Sequence, residues 1–332
     1  MVLTSADRQP VHVVYGGAQL FKAETPARLG TLALDLIRNY TPDAESFSKC
    51  LGFSGSPYAN TVFERTIAKL ESEPVEDFRI DFEDGYGYRS DAEEDGHARS
   101  AALALQKVSK LPPFIGIRIK PLTELSRARA LRTLALFFAE LNALPDNFAI
   151  TLPKVTVPEQ VAELAAALDR LEAERGFAAG SVKIEVMIET TEAIFDASGA
   201  VAIPKLIEAA GGRCRGLHFG PYDYTASCDI AAAEQRLDHP ACDFARNVMQ
   251  VSAAGRGVNL SDGPSTILPI PKHRGQLSEQ QAAENRAIVH RAMRHHFDLV
   301  QRSLANGYYQ GWDLHPGQLP TRYAAVYAFF LK

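Results

Sequence analysis

Six short stretches of this chain end in charged groups that could do chemistry together. They are Asp81-Phe82-Glu83-Asp84-Gly85, Arg118-Ile119-Lys120, Pro153-Lys154, Glu185 with Glu189, His218 with Asp223, and Asp313 with His315. Glu189 and Asp223 form the sharpest pair. They leave successive apolar runs, so in a parallel sheet they are neighbours on one rim. Two carboxylates without an accompanying cysteine or histidine pattern favour a hard divalent cation with oxygen ligands, above all Mg2+. Two protein ligands suffice if substrate oxygens and water complete an octahedron. Such an ion polarises a keto or carboxylate oxygen and stabilises an enolate. Glu189 also stands at a helix start, where a carboxylate suits the positive dipole end without any metal.

The other groups have definable roles and equally definable structural alternatives. Strand alternation puts Asp81 and Glu83 on one face and Asp84 on the other. Any of the three could orient a basic group or a metal-bound water. Arg118 suits two-pronged capture of a substrate carboxylate, or an internal ion pair with Asp81 or Glu83, and the two are compatible. Lys154 could bind an anion or form a Schiff base, although a metal-binding pair makes the Schiff base redundant. His218 could be a packed barrel histidine, and His315, before Pro316, could fix a turn. The chain has no G-x-S-x-G, Walker A or Cys/His dyad in a recognisable context.

Positioning these groups requires the elements that precede them. Strand-like runs are predicted over residues 11–15, 78–82, 114–119, 148–152, 182–189, 215–220, 257–260 and 308–314. Helical patterns alternate with them. The first covers about residues 25–39, with Pro26 in its first turn. A polar, Gly-rich stretch over residues 41–60 separates it from a short helix ending at Leu70. Ser90/Glu93, Thr156/Glu159 and Ser278/Gln281 have the spacing of capping boxes. The longest helix is expected to stop at Asn306-Gly307. Acidic residues 91–95 read as surface that complements a helix dipole. Eight strands alternating with helices predict a (β/α)8 barrel, with the active site at the C-terminal ends of the strands. The rival, a doubly wound sheet, lacks its G-x-G-x-x-G after the first strand. No linker divides residues 1–332, which read as one barrel domain with a C-terminal helical and loop extension. Residues 261–277 form the longest unpatterned loop, with Lys272, His273 and Arg274 as a positive tip suited to a lid or a subunit contact.

Composition bounds the function. The chain has 332 residues, 46% hydrophobic and 23% charged, enough to bury a large core. With 35 basic against 40 acidic residues it has no excess charge for nucleic acid. Cys50, Cys214, Cys228 and Cys242 form no C-x-x-C and are expected to be reduced thiols. Met1 is followed by VLTSADRQP, without the apolar core of a leader, and no apolar run approaches a membrane span. A cytoplasmic protein with no membrane partner is expected.

Together the strand ends resemble the citrate lyase beta subunit and the related HpcH/HpaI aldolases, malyl-CoA lyases and malate synthases. The matching pieces, in the family's order, are I-D-F-E-D-G at 80–85, R-I-K at 118–120, L-P-K-V at 152–155, M-I-E-T at 187–190, G-P-Y-D-Y at 220–224 and L-H-P-G-Q at 314–318. The resemblance implies a TIM barrel of the phosphoenolpyruvate/pyruvate-binding type that forms a homo-oligomer. It implies Mg2+ on Glu189 and Asp223, and a substrate carboxylate on Arg118. It also implies that Glu83 and Asp84 contact metal-bound water or substrate, with Lys154, Gly220, Pro221 and His315 lining the substrate. The activity implied is making or breaking a carbon–carbon bond beside an enolisable carbonyl, in a small oxo- or hydroxy-acid or its CoA thioester. The first strand, VHVVYGGAQLF, lacks the R-S-x-L-x-x-P-type segment of members that use coenzyme A. Two other functions use the same rim. One is phosphoryl transfer on an enolpyruvate-type substrate, with Gly16-Gly17 as the phosphate turn. The other is a non-catalytic barrel that binds an acid or acyl-CoA.

Overall fold

The computed structural model describes residues 8–332, so most of the stretch read for a leader (residues 1–7) lies outside the described residues. Eight strands close in chain order into a parallel barrel. They are β1 His12–Gly17, β2 Asp77–Asp81, β3 Phe114–Arg118, β4 Phe148–Leu152, β5 Lys183–Ile188, β6 Cys214–Phe219, β7 Asn259–Asp262 and β8 Gln310–Asp313. Before β2 come α1 Thr25–Tyr40, α2 Ala44–Leu51 and α3 Ala59–Ser72. Between β2 and β6 lie α4 Asp91–Leu105, α5 Arg127–Ala139, α6 Pro158–Arg175, α7 Thr191–Ile194 and α8 Ile203–Ala209. After β6 come α9 Pro221–Ser227, α10 Pro240–Ala253, α11 Glu279–Ala305 and α12 Leu319–Leu331. This is the (β/α)8 architecture predicted from the alternation. No helix among the described residues is long and apolar enough to cross a membrane.

The differences from the sequence reading have local causes. The stretch over residues 41–60 contains α2, because Asp43 accepts the Ser46 N–H and Ser46 returns a bond to the Asp43 N–H. Residue Gly257 is left-handed (φ 70°), which delays β7 by two residues and draws Ser261 and Asp262 into it. Helix α6 starts later than Thr156/Glu159 suggests. Gln160 caps it, its Oε1 accepting from the Thr156 and Val157 N–H groups at 2.8 and 3.3 Å. The boxes at Ser90/Glu93 and Ser278/Gln281 form as expected. In the acidic run 91–95, Glu94 is buried instead of solvated and pairs with Lys120 at 2.9 Å. The loop before α11 is tied down at its positive tip: Lys272 and His273 both reach Glu284 at 2.6 Å.

Two compact units divide the contacts. One holds the N-terminal residues through Val14, then Thr25–Glu76 and Pro264–Lys332; the other holds Tyr15–Glu24 and Asp77–Gly263. In the first, β1 pairs with β8 in the register His12↔Gly311. Behind β8, Asp313 is buried between two helices. It accepts from Arg322 of α12 at 2.8 Å and from His296 of α11 at 3.0 Å. In the second, β2 to β5 are buried along most of their length, as parallel strands covered on both faces must be. Their charged positions therefore need internal partners. Arg79 supplies one set, bonding Asp77, Glu185 (2.6 Å) and Thr151 (3.1 Å).

The Asp313 cluster makes stability depend on pH. Burial alone would raise the Asp313 carboxyl, but Arg322 and His296 hold it well below the usual carboxylate range. Burial lowers His296. Both groups bind protons more weakly folded than unfolded, so acid destabilises the fold. The Asp313 contribution is complete above pH ~4 and is lost as pH falls through its depressed folded value, while that of His296 begins to fall below pH ~6.5. Asp313→Asn strands the buried Arg322 charge and is expected to cost about 3–5 kcal/mol. It should also flatten the acid arm of thermal stability measured from pH 3 to 8. An acid arm identical to wild type would place the sensitivity elsewhere.

Candidate active site

The second unit brings Glu83, Asp84, Arg118, Lys154, Glu189 and Asp223 together from the C-terminal ends of β2 to β6. The acidic cluster departs from strand alternation because β2 ends at Asp81. The Asp81 carboxylate turns back and accepts the N–H groups of Glu83 (3.0 Å) and Gly85 (2.7 Å). A side chain at Gly85 would meet Asp81 Oδ2 at 2.6 Å, so this turn requires glycine. The turn lets Glu83 and Asp84 both reach the Lys154 ammonium, Asp84 at 3.3 Å.

Arg118, the last residue of β3, is 1% exposed. Its Nε and Nη2 donate to the two Asp81 oxygens at 2.6 and 2.5 Å, and Nη1 lies 3.2 Å from Glu83 Oε2. Both internal pairs envisaged for Arg118 are present. Burial would lower the guanidinium, but Asp81 outweighs it and keeps Arg118 charged.

Lys154, two residues past β4, has left-handed backbone (φ 49°), costly for a residue with a side chain and typical of functional sites. The conformation gives the residue two uses. Its N–H donates to Glu189 Oε1 at 2.6 Å, and its ammonium lies among Glu83, Asp84 and Asp223, the last at 3.5 Å. Burial alone would lower Lys154, but Glu189 and Glu83 more than compensate and raise it.

Glu189 follows β5 directly and is buried. Burial, opposed by Lys154 and reinforced by Asp223, pushes its carboxyl up to about 8. Neighbouring Glu83 and Asp84 move apart. Burial raises Glu83 against Arg118 and Lys154, whereas at the more exposed Asp84 Lys154 and Arg118 outweigh burial and lower it. Gly220, after β6, lies against Glu189: a Cβ there would fall 2.4 Å from Oε2. Pro221 opens α9 and Asp223 lies in its first turn.

Among the described residues no group of three or more His, Cys, Asp or Glu is arranged to hold a metal. A cation would therefore rest on the Glu189 and Asp223 oxygens plus non-protein ligands. The donor set fits: both are hard oxygens, the buried carboxylate is charge-starved, and the space beside it is kept open by Gly220. His315 belongs to the first unit, where its Nδ1 accepts the Gly317 N–H at 3.0 Å and so fixes the turn after β8. Gly16 and Gly17 lie within β1. A Cβ at these positions would strike Phe78 at 2.7 Å or the Gly85 carbonyl at 2.3 Å, so packing accounts for them.

The sequence reading missed Tyr15. Its ring lies over the Arg118 guanidinium, 4.8 Å from centroid to Cζ. Its hydroxyl lies 3.1 Å from His218 Nδ1, and His218 Nε2 lies 3.3 Å from Glu185. Its one sequence signal is a place near the end of the first strand, with the same parity as the fully buried Val13.

The fold is shared with several solved structures. A citrate lyase from Burkholderia xenovorans LB400 matches with TM-score 0.58 and 19% identity over 96% of this chain and 77% of its own. A citrate lyase beta subunit from M. tuberculosis, complexed with oxaloacetate and magnesium, matches at 0.53 and 15% over 97% and 99%. A Haloferax volcanii malate synthase in a magnesium/glyoxylate complex matches at 0.58 and 15% over 96% and 75%. These are the proteins that the sequence motifs resemble, and at these identities they show the fold. The chain itself belongs to the family described as Domain of unknown function (DUF6986), whose family model matches residues 4–332. No curated protein matches the sequence.

Gly220→Ala tests the room beside Glu189. The new methyl falls 2.6 Å from Glu189 Cβ as well as 2.4 Å from Oε2, so the variant must shift the backbone at Glu189. It should melt below wild type and bind Mg2+ roughly 10–100-fold more weakly, as disturbed support around a ligand does. Titration calorimetry reads this. Unchanged affinity would place the cation away from Glu189.

Proposed function

We propose that this protein is a Mg2+-dependent carbon–carbon lyase acting on a small oxo- or hydroxy-acid or its CoA thioester, as a homo-oligomer. The observation that carries the reading is the convergence of Glu189 and Asp223 with Lys154, Glu83, Asp84 and Arg118 on one rim of the second unit. The ligands bound in the similar structures support the substrate class: oxaloacetate with magnesium in one, and pyruvate with acetyl-CoA in a malate synthase. Glu189 and Asp223 would hold the cation, which when bound polarises a carbonyl oxygen and stabilises an enolate.

The chain's own residues do the rest. Lys154 offers its ammonium to an anionic substrate and keeps Glu189 aimed through its N–H. Arg118, a cation held in place by Asp81 and Glu83, presents its positive charge to a substrate carboxylate. Glu83 and Asp84 are placed to orient water or a substrate hydroxyl. Gly220 and Pro221 keep the space beside Glu189 clear.

The test is product formation from a panel of oxo-acids, hydroxy-acids and CoA thioesters, with and without Mg2+. Glu189→Ala and Asp223→Ala are expected to lose Mg2+ binding and to reduce turnover by about 10²–10³, the scale of a lost electrostatic stabiliser, while melting near wild type. Arg118→Lys should weaken carboxylate binding by about 1.5–3 kcal/mol. Mg2+-independent turnover, or turnover unchanged in both carboxylate variants, would exclude this chemistry.

A further inference from the structure

Below the carboxylate cluster the second unit contains a hydrogen-bonded chain to which the lyase reading assigns no role. Glu185 Oε2 accepts from Arg79 Nε (3.0 Å) and Thr151 Oγ1 (3.0 Å), and Oε1 accepts from Arg79 Nη2 (2.6 Å) and Arg215 Nη2 (2.5 Å). These bonds keep it ionised: although burial opposes it, Arg79, His218 and Arg215 hold it well below the usual carboxylate range. An ionised carboxylate only accepts, so the His218 Nε2 that faces it at 3.3 Å carries the hydrogen. In the neutral ring the other nitrogen, Nδ1, is then an acceptor, to which the Tyr15 hydroxyl 3.1 Å away donates.

The chain is directional. His218 and Glu185 are buried, and Tyr15 is the half-buried member, with its ring against the Arg118 guanidinium. Arg118 in turn touches Glu83, which Lys154 links to Glu189 and Asp223. The Tyr15 ring thus adjoins the cluster through Arg118. Burial, reinforced by Glu185 and opposed by Arg79 and Arg118, keeps Tyr15 a phenol. A phenol cannot take a proton unless it gives one up, and His218 Nδ1 is placed to receive it.

We propose that Tyr15 is the acid–base residue of the reaction, with His218 as its proton acceptor and Glu185 as the group that orients the imidazole. The proposal rests on the lyase reading. In the cleavage direction the substrate hydroxyl proton passes to the Tyr15 oxygen as the phenolic proton passes to His218 Nδ1. The substrate O–H electron pair forms the new C=O, the carbon–carbon bond breaks, and its pair becomes the enolate. The phenol then protonates the enolate carbon, and the imidazolium returns its Nδ1 proton to Tyr15. One proton moves from oxygen to carbon, and every protein group ends as it began.

Two measurements on the full chain test this. Imidazole nitrogen NMR of metal-free, 15N-histidine-labelled protein should show His218 as the Nε2–H tautomer, and Tyr15→Phe should shift its Nδ1 resonance alone among the histidines. A Nδ1–H tautomer, or no shift in the variant, would overturn the relay. Solvent deuterium entry into the methyl group of pyruvate, with Mg2+, reads the proton transfer itself. Tyr15→Phe and His218→Asn should each reduce its rate about 10²-fold or more, the range of general acid–base catalysis. The KM for pyruvate should change less than about threefold, because neither residue holds the carboxylate. Wild-type exchange in both variants would remove Tyr15 from the chemistry and leave the lyase reading standing. No exchange by wild type on pyruvate, oxaloacetate or acetyl-CoA would overturn the lyase reading and, with it, the catalytic role proposed here.

Discussion

Too few cations serve too many carboxylates at the mouth of the second unit. Asp81, Glu83, Asp84, Glu189 and Asp223 meet Arg118 and Lys154. Arg118 is taken up by Asp81 and Glu83, so Lys154 spans Glu83, Asp84 and Asp223 at once. The imbalance shows in Glu189, the most deeply buried of the carboxylates around Lys154, whose carboxyl is pushed up to about 8. A recess of low dielectric cannot hold such an excess without protonation or a further positive charge. A divalent cation of the kind proposed would supply that charge, and the same imbalance would favour its binding with only two protein ligands.

The geometry around this imbalance is fixed by groups that do no chemistry. Asp81 shapes the turn that carries Glu83 and Asp84, and Arg118 locks Asp81 in place with two donors. The left-handed backbone at Lys154 lets one residue aim both its N–H and its ammonium into the cluster. Gly85 and Gly220 leave room where a methyl group would displace a carboxylate. Each device is local, and each sits at the end of a strand whose own burial holds it rigid.

Much of this was legible in the sequence. Eight apolar runs alternating with helical patterns gave the barrel, and the charged ends of the runs at β2 to β6 are the residues that gather in the second unit. Asp313, at the end of the sixth charged run, is instead buried against His296 and Arg322. What stayed hidden depended on conformation or distance. Alternation could not show that β2 stops at Asp81, because the stop is made by the Asp81 side chain bonding the next N–H groups. Nothing about Lys154 as a letter announces a positive φ. The bond between Tyr15 and His218 joins residues 203 positions apart, and only the curvature of the closed sheet brings them within reach. The helix in residues 41–60 was missed for a smaller reason: its Asp43/Ser46 box uses serine where the familiar signature has Glu or Gln.

The seam between β1 and β8 has a consequence for how the chain is made. His12 pairs with Gly311, 299 residues later (311 − 12), and the first unit is assembled from both ends of the sequence. At about 5–20 residues per second on the ribosome, β1 waits roughly 15–60 s for its partner strand to be synthesised. The second unit is drawn mainly from one continuous stretch, Asp77–Gly263, and its strands are complete well before that. Through this interval β1 presents an unpaired strand edge, the kind of template that recruits other chains. That exposure ends only when β8, Gln310–Asp313, has been synthesised.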